Sequence, residues 1–256
     1  MNNSAGESRC ILVPIDLHGV NRGTLELLVH IARQLDRSLL GLLLEDTRLQ
    51  RVAELPFTTE ISLDSGRERS LLRDHLSQRH SKVTADTQRT LSELAEKDKI
   101  QLRYEDAAGA RWHTALERDG QLDIFFPARR RWQIATRGHG KRDSSPLRLG
   151  LLLAHTDQDQ RVLEAAGLIL RAGLGGDVYV LSDRTPPPGQ LRALYLPHTR
   201  VGIQSNLSCH PATVTSLIRQ SPYDLLLLPR DCLQGISPES LDTALDKSGA
   251  QVLIIN

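Results

Sequence analysis

Apolar residues occur along the chain in short continuous runs and in longer segments with helical spacing. The first short run, Cys10–Asp16, is apolar up to its final acid and predicts a buried strand. An amphipathic segment follows, with Leu25, Leu28 and Ala32 on one face, and predicts a helix. Leu39–Leu44 predicts a second strand. This strand, helix and strand within about 35 residues predict a parallel βαβ unit with a right-handed crossover.

Strand and helix patterns alternate less regularly in the rest of the first half. Arg48–Ser65 shows no clear period, whereas the segment from about Arg67 to Asp98 has the spacing of a long helix. The apolar stripe of this helix consists of Leu72, Leu76, Val83, Thr87, Leu91 and Leu94. A short strand at Gln101–Glu105, a helix around Trp112–Leu116 and a strand at Leu122–Phe126 are predicted after it.

The pattern begins again in the second half. Strands are predicted at Leu149–Ala154, Val178–Leu181, Val201–Gln204, Leu225–Leu228 and Val252–Ile255. Helices are predicted after Asp157, as a candidate N-cap, after Pro211, and after the Ser237-Pro238 cap. We expect Gly175-Gly176 to end the first of these helices.

The composition changes between Pro127 and Pro146. Basic residues accumulate there without an acid before Asp143, and glycine and serine interrupt the segment. The basic residues are Arg129, Arg130, Arg131, Arg137, Lys141 and Arg142. They are interpreted either as a phosphate-binding segment or as a solvated linker. We place a domain boundary here, which gives domains 1–145 and 146–256.

The two halves resemble each other as weak internal repeats. Asp123–Arg129 and Asp224–Arg230 each consist of an acid, an apolar run, a proline and an arginine. We therefore expect an α/β protein of two tandem open parallel-sheet units, the second shorter, related by an approximate two-fold axis. In that arrangement the strand at Leu149–Ala154 lies outside the sheet that contains Ile11–Ile15.

Charge and composition exclude several classes of protein. The chain has 256 residues and a formal net charge of +1, which argues against wrapping nucleic acid by overall charge. No apolar stretch has the length of a membrane helix, and Met1–Arg9 lacks the apolar core of a signal peptide. The three cysteines, Cys10, Cys209 and Cys232, are widely spaced. They fit neither a disulfide framework nor a zinc module, so we expect a cytoplasmic protein without a metal site.

The order of elements, together with Ile11–Asp16, Leu39–Glu45 and Asp123–Phe126, resembles the universal stress protein family. The second half resembles a degenerate copy, including its ending Gly249–Ile255. The resemblance covers nearly the whole chain. It implies the adenine nucleotide hydrolase-like fold, with strand order 3-2-1-4-5 in each unit, and an intramolecular pseudo-dimer that could dimerise further or bind another protein.

The resemblance also implies where a nucleotide would bind. Members that bind ATP hold it between strands one and four and carry Gly-x2-Gly-x9-Gly-Ser/Thr after strand four. This chain has Pro127 and Pro229 where the first glycine is expected, and proline has no N–H to donate. Asp16 matches the family acid that can contact adenine or ribose, whereas His155 stands at its counterpart in the second half.

Three functions remain open from the sequence. The first is a non-catalytic stress-response binding or regulatory protein without family-type ATP binding. The second is an ATP- or AMP-dependent switch that binds nucleotide in the first domain through Asp16, Arg129 and Arg130. The third is an enzyme on the same scaffold. The sequence argues against it, because it has neither a glycine-rich phosphate loop nor a recognisable catalytic constellation.

Overall fold

The computed structural model describes residues 9–45, 47–61, 65–109, 111–118, 122–128 and 146–256. The basic segment from Arg129 to residue 145, including Arg130, lies outside the described residues, as does residue 145 at the expected domain boundary. What that segment binds therefore stays a prediction.

Most secondary structure elements of the described residues follow the predicted alternation, but the long helix begins at Arg73 and not at about Arg67, because a strand occupies Glu68–Ser70. The strands are β1 (Cys10–Ile15), β2 (Ser38–Glu45), β3 (Thr59–Ile61), β4 (Glu68–Ser70), β5 (Leu102–Ala108), β6 (Asp123–Phe126), β7 (Leu147–Leu152), β8 (Gly175–Leu181), β9 (Arg200–Gln204), β10 (Leu225–Pro229) and β11 (Gln251–Ile255). The helices are α1 (Arg22–Gln34), α2 (Thr47–Ala53), α3 (Arg73–Lys97), α4 (Arg111–Leu116), α5 (Gln158–Arg171), α6 (Pro211–Gln220) and α7 (Pro238–Asp246). Short 3₁₀ turns occupy Gln190–Leu194 and Arg230–Leu233.

Nine of these strands form one sheet in the order β5-β2-β1-β6-β11-β10-β7-β8-β9, and β3 pairs with β4 in a separate hairpin. Every neighbouring pair in the large sheet is parallel except β6 and β11, which pair antiparallel with Ile124 opposite Ile254. The expected α/β class with a mostly parallel sheet is confirmed.

The expectation of two separate sheets is wrong, because β7 lies in the same sheet as β1. The four strands of the sheet that come from residues 10–126 lie on one side of the antiparallel junction, and the five from residues 147–255 lie on the other. Strand β6 has β1 on one side only. The backbone N–H and C=O groups on its other edge also need partners, and β11 provides them. This pairing joins the two halves of the chain.

Helices cover both faces of the sheet, which explains why its central strands are continuous apolar runs. On one face, α1, α3 and α5 pack over buried residues that include Phe125. On the other face, α4, α6 and α7 pack over buried residues that include Phe126. Successive side chains of a strand point to opposite faces, so these two phenylalanines bring β6 into both cores.

Three local features add to or correct the sequence analysis. Arg48–Ser65, which has no clear period, contains most of α2 and all of β3. Gly175 and Gly176 open strand β8, because α5 has already ended at Arg171 and Gly173 turns the chain with a positive φ of 72°. Asp157 does occupy the N-cap position of α5, but its side chain makes no capping hydrogen bond.

A buried carboxyl group forms hydrogen bonds at the junction between the halves. Asp123, the first residue of β6, accepts hydrogen bonds from the backbone N–H of Asn256 at 3.0 Å and from Nε of Arg37 at 3.4 Å. Burial raises the pKa of the Asp123 carboxyl, although the hydrogen bond from Asn256 and the charge of Arg37 oppose the rise. The folded protein therefore holds a proton on this group more readily than the unfolded chain does.

We expect the Asp123 carboxyl to weaken the fold as the pH rises. The raised pKa means that its contribution is fully present below the ordinary aspartate pKa and is lost as the pH rises through the folded value. The free energy of unfolding of the natural protein minus that of Asp123→Asn should therefore fall as the pH rises above the ordinary aspartate pKa of about 4, measured by urea unfolding. The contributions of the other carboxyl groups to the pH dependence cancel in this difference. A difference that grows with pH would contradict the raised pKa of Asp123.

Candidate functional site

The topology creates two switch points in the sheet, which we call the first and the second crevice. In a parallel sheet, ligands bind beyond the carboxyl ends of adjacent strands whose crossovers lead to opposite sides. The first crevice lies beyond β1 and β6, and the second beyond β7 and β10. Asp16 follows β1 and His155 comes shortly after β7, so the two sequence-predicted counterparts lie at equivalent ends of their halves.

Asp16 closes the turn after β1. One carboxylate oxygen accepts a hydrogen bond from the backbone N–H of His18 at 3.0 Å, and its carbonyl accepts one from the N–H of Gly19 at 2.9 Å. Gly19 has a φ of 64°, and a Cβ at this position would lie 2.8 Å from Cγ1 of Val83 in α3. The long helix therefore packs directly on this loop, and Asp16 shapes the turn that fits beneath it.

His155 forms the polar surface of the second crevice. Its backbone has a φ of 57°, and its ring Nε2 lies 2.6 Å from Oδ1 of Asp183 and 3.1 Å from Oγ of Ser182. Ser182 and Asp183 directly follow β8, the strand beside β7. The side chains of His155 and Asp183 are partly exposed, so this ion pair forms at the protein surface when the histidine is protonated.

Asp159 fills the interior of the same crevice. Its residue is only 1% exposed, and its two carboxylate oxygens accept hydrogen bonds from the backbone N–H groups of Ala154 at 2.9 Å and His155 at 2.8 Å. Asp159 lies in the first turn of α5, where a negative charge also interacts favourably with the helix dipole. An internal carboxylate thus occupies two of the N–H groups that could hold an anion here.

The loop after β10 also forms hydrogen bonds within the protein, although Nη1 of Arg230 is buried there without a hydrogen-bond partner among the described residues. Pro229 is buried and has no N–H, and the N–H of Asp231 donates to Oε1 of Gln158 at 3.1 Å. Arg230 turns toward the first half, where its Nη2 donates to the carbonyl of Leu116 in α4. In the first half, Pro127 is likewise buried.

Two cysteines meet beside this crevice. Sγ of Cys209 lies 2.9 Å from Sγ of Cys232, and the Cys209 thiol also donates to the carbonyl of Leu153 at 3.7 Å. The neighbouring His210 caps α6 instead, since its Nδ1 accepts from the N–H of Ala212. Over the ranges the structure describes, no group of three or more His, Cys, Asp or Glu side chains is arranged to hold a metal ion.

The contact between the two thiols shifts their pKa values in opposite directions. The hydrogen bond from Cys232 lowers the pKa of Cys209, against the opposing effects of burial and of the Asp159 and Asp183 charges. The same hydrogen bond, followed by burial, raises the pKa of Cys232. Cys209 is therefore the thiol of the pair that ionises first.

The sequence identified some of these residues and missed others. The repeat predicts His155 and Pro229, but it predicts neither Asp159 and Asp183 nor the contact between Cys209 and Cys232. An acid in the first turn of a helix after a buried strand was a usable signal for Asp159. No signal joins the two cysteines, because they are brought together by separate loops.

Comparison of the sequence with protein-family models and with curated proteins finds no match. Among the described helices, none combines the length and the apolar character needed to span a membrane.

Proposed function

We propose that this protein is a non-catalytic binding or regulatory protein of the universal stress type that does not bind ATP in the manner of that family. In this proposal the two halves act as an intramolecular pseudo-dimer that shares one sheet. The second crevice is then a surface for recognising another macromolecule, such as a protein partner, instead of a nucleotide pocket. Its polar rim is the pair of His155 and Asp183.

The strand order supports the family part of the proposal. In the second half the order from the outer edge inward is β9-β8-β7-β10-β11, which corresponds to 3-2-1-4-5 in chain order. In the first half it is β5-β2-β1-β6, which corresponds to 3-2-1-4 without a fifth strand. The same order in both halves supports tandem units, the first of which borrows its missing edge partner from the second.

The observation that carries the proposal is the internal occupation of the second crevice. A phosphate chain needs free backbone N–H groups that point into its site. Here Asp159 takes those of Ala154 and His155, Gln158 takes that of Asp231, and Pro229 has none. A phosphate would also meet the buried carboxylate of Asp159, and two negative charges in one site repel each other.

Calorimetry with ATP and Mg²⁺ on nucleotide-free protein tests the proposal. We expect no binding heat, because the loss of a single charge-assisted hydrogen bond costs about 1.5–3 kcal/mol and several are unavailable here. Micromolar or tighter binding that Asp16→Ala abolishes would establish the alternative, an ATP- or AMP-dependent switch in the first half. The matched control is His155→Ala, which changes the corresponding position of the second half.

A further inference from the structure

The pair of Cys209 and Cys232 has the placement needed for reversible oxidation. Cys209 belongs to the segment between β9 and α6, and Cys232 belongs to the 3₁₀ turn Arg230–Leu233 after β10. Their sulfur atoms are 2.9 Å apart, so a movement of about 1 Å brings them to disulfide bonding distance. The segment from Ser205 to His210 is neither helix nor strand and is largely exposed, which leaves room for that movement.

The two thiols differ in access as well as in acidity. Cys209 is partly exposed, whereas Cys232 is only 2% exposed. An oxidant from solution therefore reaches Cys209 first. The Cys209 thiolate, which the hydrogen bond from Cys232 stabilises, is the group that attacks the oxidant. The third cysteine, Cys10, is buried in β1 in the other half and has no such neighbour among the described contacts.

We propose that Cys209 and Cys232 form a reversible disulfide when the protein meets hydrogen peroxide, with Cys209 oxidised first and Cys232 resolving it. The Cys209 thiolate attacks the peroxide, the O–O bond breaks, and a sulfenic acid forms with release of the other oxygen as water. The Cys232 sulfur then attacks the sulfenic sulfur, the S–O bond breaks, and a second water leaves. Overall, two thiols and one hydrogen peroxide give one disulfide and two waters, and a dithiol reductant reverses the change.

The bond would act directly on the second crevice. The Cys209 thiol contacts the carbonyl of Leu153, two residues before His155, and Cys232 lies three residues after Pro229. A disulfide would fasten the loop before α6 to the turn after β10 and remove the hydrogen bond to Leu153. The surface beside His155 and Asp183 would then exist in a reduced and an oxidised form, a property that goes beyond the proposed function and does not depend on it.

Peptide mapping of the full chain tests the proposal. Fully reduced protein is treated with a small excess of hydrogen peroxide, its remaining thiols are alkylated under denaturing conditions, and the digest is analysed without reductant. We expect the loss of two of the three free thiols and one cross-linked peptide that joins Cys209 to Cys232. Dithiothreitol should restore all three thiols.

Variants assign the order of the steps. Cys10→Ser should form the cross-link as the natural protein does. Cys232→Ser should accumulate a Cys209 sulfenic acid that dimedone traps, whereas Cys209→Ser should give neither product. The proposal is overturned if native protein keeps all three thiols under peroxide, if the cross-link includes Cys10, or if it forms only in urea. The mapping of the natural chain decides the matter even where a variant at the buried Cys232 fails to fold.

Discussion

Replacing Phe125 by alanine is expected to lower the free energy of unfolding by about 3–5 kcal/mol, because the change leaves a cavity at a fully buried site. Phe125 lies in β6, directly at the antiparallel junction, where it is opposite Leu253 of β11. Its side chain belongs to the core that α1, α3 and α5 cover. The cavity therefore opens where the halves meet, and we expect both to lose stability together.

Urea unfolding followed by hydrogen exchange measures this effect in each half separately. We expect one transition for the natural protein, and the same shift for peptides from β1 and from β10 in Phe125→Ala. Phe57→Ala is the matched control, because that phenylalanine is 99% exposed and its loss should change stability by no more than about 0.5 kcal/mol. Two separate transitions, with only residues 10–126 affected, would show that the shared sheet does not couple the halves.

The second large effect is expected for Asp159→Ala, which should cost about 2–4 kcal/mol of stability. The change leaves the part-buried N–H groups of Ala154 and His155 without their acceptor. A fully buried unpaired group costs about 1–3 kcal/mol, and because these two are part-buried we expect about 1–2 kcal/mol for each. Thermal or urea unfolding at neutral pH measures it. Asp159→Asn should lose about half as much, since one acceptor oxygen remains.

A control for the Asp159 effect lies two residues earlier, at the N-cap of α5. Asp157 is exposed and makes no capping hydrogen bond, so Asp157→Ala should change stability by no more than about 0.5 kcal/mol. If both aspartates cost the same, the effect would come from charge near the start of α5 and not from the buried hydrogen bonds.

The periodicity of apolar residues predicts the positions of strands and helices, and the fold was predictable to that level. Buried parallel strands are continuous apolar runs, which is why β1, β2, β6, β7 and β10 could be located. Periodicity does not encode which edge strand pairs with which. Ile124–Phe126 and Val252–Ile254 are equally apolar, and their antiparallel pairing became visible only in the structure.

The candidate site was less predictable for a related reason. The prolines at its strand ends could be interpreted directly, because the absence of an N–H is a property of the residue itself. The bonds of Asp159 to Ala154 and His155 depend on how a helix docks on its strand. The contact of Cys209 with Cys232 depends on two loops 23 residues apart, beyond the reach of any local pattern.

The antiparallel junction has a consequence for how the chain matures on the ribosome. Synthesis produces β6 fourth among the nine strands of the shared sheet, whereas β11, its partner, comes last of the nine. Until then β6 presents an open apolar edge of Ile124, Phe125 and Phe126, and such edges recruit strands from other chains. The nascent first half is therefore a natural client for a chaperone, and its release should await the arrival of Val252–Ile254.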